Sequence, residues 1–476
     1  MASIRKHAGS LLPPLLAGLC SLPVWITRYP AIIDFPLHIA KAQIARHPEL
    51  FKDIYIYTWR PRPYMFFDLC TVTLGRLLPV LAAGKIMLTL YIASALATTV
   101  YILHKDNAPL LPILFWPVFS VYNWWYGVGS VNLLFGHLSG IICITWYYHH
   151  TADSLRRVLP VLTGFLALIL LCHPMSFLIT VSLIILTVVW RKPQTLRLRL
   201  AFLCGYSIAI AGAAAVINRI VNQPWTPGET AGQLLWLLHD YRPAVETKVF
   251  KILLAAMTLA WLTQKKELFR SFILPVFLLF ITFITPTRVD MAGHNQLRIM
   301  QFFILALPFF VPSPRRPVPR ATLSFILATG AGIWIFLQCQ KQLHYSGCFI
   351  EAERIAALLP QRPRLTILQH FTSAPHHHAG FYCIYYRGGS ITSLYETPFW
   401  GIHFADSYKE SLPAGDPGDD SLRLYSHLLY FKDEVSRPQL QPSEVELAGF
   451  RRIFTGKWLD CYENTLDETA LPEGNR

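Results

Sequence analysis

Asp34 and His38 stand four residues apart in the segment Tyr-Pro-Ala-Ile-Ile-Asp-Phe-Pro-Leu-His-Ile-Ala-Lys, residues 29–41. On a helix that spacing puts both side chains on one face. A carboxylate so placed can take a proton from a hydroxyl, while the neighbouring imidazole orients it or meets a phosphate. A structural reading competes with this one. Asp34 also has the right type and position to cap a helix whose first turn holds Pro36. The two readings are compatible, since a capping residue can also be catalytic.

Three further groups carry polar chemistry. Asn123 and Asn132 flank a glycine turn in the aromatic segment 121–136. Trp124 and Trp125 there could hold a sugar face or a lipid tail, but an interfacial aromatic belt is the favoured reading for them. His173 sits in Leu-Cys-His-Pro-Met between two apolar runs. An ionisable residue in such a place is a functional candidate, or a partner for a carbonyl freed by Pro174. The third group is Arg288, Asp290, His294, Asn295 and Arg298. Two guanidiniums there can clamp a phosphate in bidentate fashion; alternatively, Arg298 snorkels from a solvated loop to lipid headgroups. His376, His377 and His378 are consecutive, so they cannot all face one ion on a regular element, and metal binding is not expected there. The chain has no Walker loop, no GxSxG, and no GxGxxG in a βαβ setting. ATP-driven transport and lipase chemistry therefore lack support.

The elements that must position these residues are apolar. Of the 476 residues, 53% are hydrophobic and only 15% charged, against about 25% charged in a soluble chain. The apolar runs lie before Lys341 and predict spans near 8–27, 81–104, 108–125, 130–148, 158–172, 175–190, 200–220, 248–264, 270–286, 298–312 and 321–340. With the N-terminus inside, the expected inner loops collect Arg5 and Lys6, Lys105, Arg156 and Arg157, the basic run 191–199, Lys265 to Arg270, and Arg315 to Arg320. That alternation is what the positive-inside rule asks for, and an odd number of spans leaves the tail outside. The net charge of +14 does not indicate nucleic acid. From Gln342 onward 17 acids face 12 bases, so the excess lies in the membrane half, and no basic stripe with interleaved aromatics is present.

The first outer loop departs from the charge pattern, with Lys and Arg scattered over 28–64. Two surface helices are expected in it, over Asp34–His47 and Phe66–Leu78, ended by Pro48 and Pro79. Larger outer loops follow at 221–247 and 286–298. The tail reads as α/β: helices over Phe349–Leu359 and His376–Tyr386, strands over Arg364–Gln369, Tyr425–Phe431 and Phe450–Asp460. The nine cysteines form no CxxC or zinc spacing. Cys348, Cys383 and Cys461 fall in the tail, where two of them could pair in an oxidising compartment. Residues 1–28 imitate a signal peptide but show no convincing small-x-small cleavage site, so a retained first helix is expected.

These residues carry a family likeness. Asp34-Phe35-Pro36-Leu37-His38, Tyr122-Asn123-Trp124 with Asn132 and Gly136, His173, the polar loop before Arg298, and the α/β tail with Arg387-Gly388-Gly389 resemble the GT-C-type membrane glycosyltransferases. The likeness is closer still to bacterial multi-pass proteins that carry an Asp-Phe-Pro-x-His motif in the first outer loop. It implies an α-helical polytopic membrane protein of about eleven transmembrane helices, with a small α/β extracytoplasmic C-terminal domain. Residues 1–341 would form the membrane domain, with outer-loop helices at 34–78, and residues 342–476 the periplasmic domain. The chain would sit in a bacterial inner membrane with a cytoplasmic N-terminus. The implied reaction moves a sugar from a polyprenyl-phosphate donor to the hydroxyl of a glycan, lipid or protein acceptor. Asp34 and His38 would be catalytic. Asn123, Asn132, His173, Arg288, His294 and Arg298 would bind substrate. Many such enzymes pair acids in the first outer loop, sometimes around a divalent metal. Asp34 has no acidic neighbour in sequence, and Asp68, Glu49 and Asp53 are the partners in reach. The rival reading is a transporter, flippase or assembly protein for a lipid-linked glycan.

Overall fold

The computed structural model describes residues 2–57, 63–106, 113–151, 153–190, 270, 273–284, 295–310, 320–368, 378–388, 390–391, 402–404, 425–432, 445 and 449–465. These residues are mostly helical, with a small sheet. Among them, two helices are long and apolar enough to cross a membrane, Val80–Lys105 and Val131–His149. Shorter apolar helices include Leu11–Trp25, Pro174–Val188 and Arg298–Phe310. The expected spans at 200–220 and 248–264 lie outside the described residues.

The chain divides into two compact units. The first holds Met1–Ser21, Thr89–Tyr126 and Ser130–Leu337. Its frame is helical: α8 (Val131–His149), α9 (Leu155–Cys172), α10 (Pro174–Trp190), α11 (Leu274–Ile284) and α12 (Asn295–Phe310). α8 packs on α9, α10 and α12, and α11 packs on α12. Gly136 and Gly140, one turn apart on α8, allow α10 close. A Cβ on Gly136 would stand 2.7 Å from the Ser176 hydroxyl, and one on Gly140 would meet Thr180 and Phe302. Small residues at i and i+4 are the usual device for close helix approach in lipid.

The expected span at 108–125 is broken. Helix α6 (Trp116–Val121) ends at Tyr122, whose ψ of 60° is not helical, and a short helix α7 (Trp124–Val128) follows. Asn123 staples the break. Its amide nitrogen donates to the Ser120 carbonyl at 2.8 Å, and its amide oxygen accepts from the Tyr126 N–H at 3.0 Å.

A second staple ties helix ends within this unit. Arg270 donates to both carboxylate oxygens of Asp106, which follows α5 (Val80–Lys105), and to the Phe309 carbonyl on α12. The guanidinium lies over the Tyr148 and Phe309 rings, and His149 Nε2 is 3.3 Å from Asp106. Burial pushes the Asp106 carboxyl up, but the hydrogen bonds and charges of His149 and Arg270 outweigh it, and the net shift is downward. The pair's contribution is therefore complete above the ordinary carboxylate value of about 4. It drains away as pH falls through the lower folded value. Unfolding followed in detergent is expected to show an acid-side loss of stability that Asp106→Asn lacks. Equal acid slopes in the two proteins would remove Asp106 from that account.

The second unit holds Leu22–Leu88, Gly127–Gly129 and Gln338–Arg476. Its helices are α2 (Phe35–Arg46), α3 (Pro48–Phe51), α4 (Phe66–Gly75), the C-terminal part of α13 (Arg320–Leu358) and α14 (Phe381–Arg387). α2 packs on α4 and α14. Five strands form one sheet: β2 (Arg364–Leu368), β3 (Ser390–Ile391), β5 (His427–Phe431), β6 (Phe450–Thr455) and β7 (Leu459–Asn464), in the order β3-β2-β5-β7-β6. β2 runs parallel to β3 and β5, while β7 is antiparallel to both β5 and β6. A separate antiparallel pair joins β1 (Tyr55–Tyr57) of the first long loop to β4 (Ile402–Phe404), with Ile56 opposite His403. Glu351 on α13 accepts from three successive backbone N–H groups of the β6–β7 turn, Lys457, Trp458 and Leu459, at 2.8–2.9 Å. Cys348, Cys383 and Cys461 are buried free thiols. Burial pushes the Cys383 thiol up to about 12 and holds Cys461 well above its ordinary value.

Candidate functional site

Asp34 occupies the position before the first residue of α2, and its backbone carbonyl accepts the first helical bond, from His38 N–H at 3.0 Å. Its side chain makes no capping hydrogen bond. The carboxylate is instead turned to a different partner: Oδ1 lies 3.2 Å from Nδ1 of His378, with the imidazole almost fully buried and the carboxylate 19% exposed. The backbone around it is fixed from outside the helix. Ile33 N–H donates to the Gly127 carbonyl at 2.9 Å and Asp34 N–H to the Val128 carbonyl at 2.8 Å. Gly129 follows at φ +97°, and a Cβ there would stand 2.7 Å from Asp34 Cβ and 2.9 Å from its nitrogen. Only glycine tolerates both the conformation and the approach.

One turn along α2, His38 Nδ1 meets Asp68 Oδ1 at 2.8 Å, with both side chains buried. Asp68 belongs to the first turn of α4. Its carboxylate fixes the ring orientation of His38, as carboxylate partners of functional imidazoles do. Asp68, one of three acids within sequence reach of Asp34, is thus a partner of His38. Lys41, the next residue on the same helix face, is also buried.

The segment leading to Asp34 is held by the tail. Arg28 pairs with Glu353 at 2.7 Å and donates to the Tyr386 hydroxyl at 3.1 Å. The Tyr29 and Tyr386 hydroxyls lie 2.5 Å apart, and Ala31 N–H donates to the Gln342 side chain at 2.5 Å. Burial raises both phenols above their ordinary value, so the pair is neutral and shares hydrogen bonds rather than charge.

The first unit assembles a different set. Pro174 excludes helical geometry at the residue before it, and His173 is extended, at φ −162° and ψ 129°, between α9 and α10. Its Nδ1 faces the Met175 N–H at 3.1 Å and its Nε2 faces Nη1 of Arg298 at 2.9 Å. Both neighbours are donors, and a neutral imidazole has one acceptor nitrogen. In either tautomer one contact brings two donors together. An anionic oxygen entering there would accept from the ring and the guanidinium at once. Arg298 also lies over the Trp125 ring, 4.8 Å from its centre. His137, missed from sequence, braces the arrangement: its Nε2 meets the Arg298 carbonyl at 2.9 Å and its Nδ1 meets Ser176 at 2.9 Å. Its only sequence signal is a histidine inside an apolar helix.

Of the other sequence candidates, Asn123 uses its amide on the α6–α7 staple and Asn132 is buried in the first turn of α8. Arg288 and His294 lie outside the described residues. Among the described residues no three His, Cys, Asp or Glu side chains converge to hold a metal ion. No family model, curated protein or solved structure matches the chain.

Proposed function

We propose that the chain is a polytopic membrane glycosyltransferase of the GT-C type, moving a sugar from a polyprenyl-phosphate donor to an acceptor hydroxyl on the outer face. In this reading about eleven helices cross a bacterial inner membrane, the N-terminus is cytoplasmic, and residues 342–476 are periplasmic. Apolar side chains left exposed along helix faces support immersion in lipid. Leu11, Leu15, Leu19 and Leu22 form one such stripe on α1 (Ala2–Trp25), and Phe325, Ile333 and Phe336 another on α13. Bilayer hydrocarbon covers such faces at no cost.

The observation that carries the chemical reading is the Asp34 carboxylate. It stands at a helix start without capping it and is turned to His378 instead, 19% exposed, which leaves it in reach of a substrate. It takes the proton of the acceptor hydroxyl as that oxygen attacks the anomeric carbon. The bond from that carbon to the phosphate oxygen breaks, and the electron pair leaves on the polyprenyl phosphate. A carboxylate next to a cation-like sugar centre also favours the transition state. Arg298 and His173 are donors of the kind that holds a phosphate. His38, set by Asp68, orients the acceptor.

Mass spectrometry of lipid-linked and surface glycans tests this in cells with wild-type protein, Asp34→Asn, or a deletion. Loss of one sugar in both the variant and the deletion is expected. An unmodified lipid-linked glycan that accumulates only in the deletion would favour transport and overturn the transferase reading. Gly129→Ala is expected to mimic Asp34→Asn by displacing the carboxylate, with a loss of about 100-fold. Wild-type glycans in that variant would show that the position of Asp34 is not critical.

A further inference from the structure

The same short tail helix grips the segment 29–34 at two points. At its far end the Tyr386 hydroxyl meets Tyr29, and three residues before its start His378 meets Asp34. The His378 ring is itself held, edge-on to Phe381 with ring centres 5.2 Å apart. Phe381 is fully buried, and its N–H returns to the His378 carbonyl at 3.1 Å. The imidazole therefore has little freedom. Its nearest approach to Asp34 is from Nδ1 to Oδ1, at 3.2 Å, and the carboxylate keeps 19% of its surface exposed.

We propose that His378 is the positioning residue of the Asp34 base, so that the tail supplies part of the reaction centre rather than a cover for it. This rests on the transferase reading above. His378 acts through Asp34: an Nδ1–H standing 3.2 Å from Oδ1 attracts the carboxylate and so favours one setting of it toward the acceptor hydroxyl. In a buried setting such a contact is stronger than in water. A misplacement of the base by about 1 Å costs about 100-fold in rate, which sets the size of effect to look for.

The test uses full-length protein in membrane vesicles from deletion cells. The substrate is the polyprenyl-lipid extract of those same cells, titrated to separate kcat from KM, with the transferred sugar read by mass spectrometry. His378→Leu is expected to lower kcat about 100-fold with KM changed less than about twofold. The side-chain amide of His378→Asn puts a donor where Nδ1 stands, so it should recover most of the rate. Asp34→Asn combined with His378→Leu should be no slower than Asp34→Asn alone, as expected for residues acting as a unit. If Asp34→Asn is inactive while His378→Leu turns over like wild type, the transferase reading stands and His378 has no part in it. If the Leu and Asn variants lose rate and melting temperature alike, His378 is only a packing residue. If Asp34→Asn is itself fully active, the transferase reading falls and this inference with it.

Discussion

Asp34→Asn is expected to slow sugar transfer about 1,000-fold, the middle of the range for removing a general base, while leaving the melting temperature in detergent unchanged within about 1 °C. The two halves of this result have separate causes. Asparagine is isosteric and accepts a hydrogen bond, but it cannot take the acceptor's proton. Losing a helix cap costs about 1 kcal/mol, yet the Asp34 side chain caps nothing, and α2 begins on its backbone carbonyl and on the bonds from Ile33 and Asp34 to residues 127 and 128. A variant that lost rate and stability together would point to a structural carboxylate. One that lost neither would remove Asp34 from the chemistry.

Glu351→Ala is expected to destabilise the second unit by about 2–3 kcal/mol, through the loss of charge-assisted hydrogen bonds and the stranding of one buried donor, Leu459 N–H. Three consecutive N–H groups at 457–459 converge on one buried carboxylate. Glu351→Gln keeps one acceptor oxygen, but its amide faces a donor, so an intermediate loss is expected. Limited proteolysis reads the effect directly: the tail should be cut much faster in the alanine variant, with the glutamine variant between. Equal cutting rates would mean that the sheet is held by its own core alone.

Much of the helical frame was legible because it rests on local signals. The surface helix expected over 34–47 is found at Phe35–Arg46, where Pro36 and Pro48 punctuate the chain. The apolar runs 81–104 and 130–148 become Val80–Lys105 and Val131–His149. Hydropathy failed where the backbone breaks inside an apolar stretch: Tyr122 and Asn123 interrupt 108–125 by dihedral and hydrogen bond, which composition does not register. It also split what is continuous. A span at 321–340 and a tail helix at 349–359 are one helix, Arg320–Leu358, since isolated Gly347 does not stop it. Phe450–Asp460, read as one strand, is part of a hairpin that turns at Gly456. The surroundings of Asp34 were half visible. Asp34 and His38 announced themselves by spacing, whereas His378 comes from a tract weighed only for metal binding. Its pairing with Asp34 spans more than 300 residues, and no local pattern encodes such a contact.

The pairing of Tyr55–Tyr57 with Ile402–Phe404 has a consequence for biogenesis. The two strands are separated by about 350 residues, and at roughly 5–20 residues per second a ribosome takes about 20–70 s to make what lies between. The loop bearing Asp34 therefore emerges early and waits, with one edge of its short strand open, until residues 402–404 have been made. His378, Tyr386 and Glu353 arrive in the same late interval. The Asp34 carboxylate thus gains its partner from the tail only long after its own loop has been made. A prematurely terminated product would carry the loop without the residues that set it.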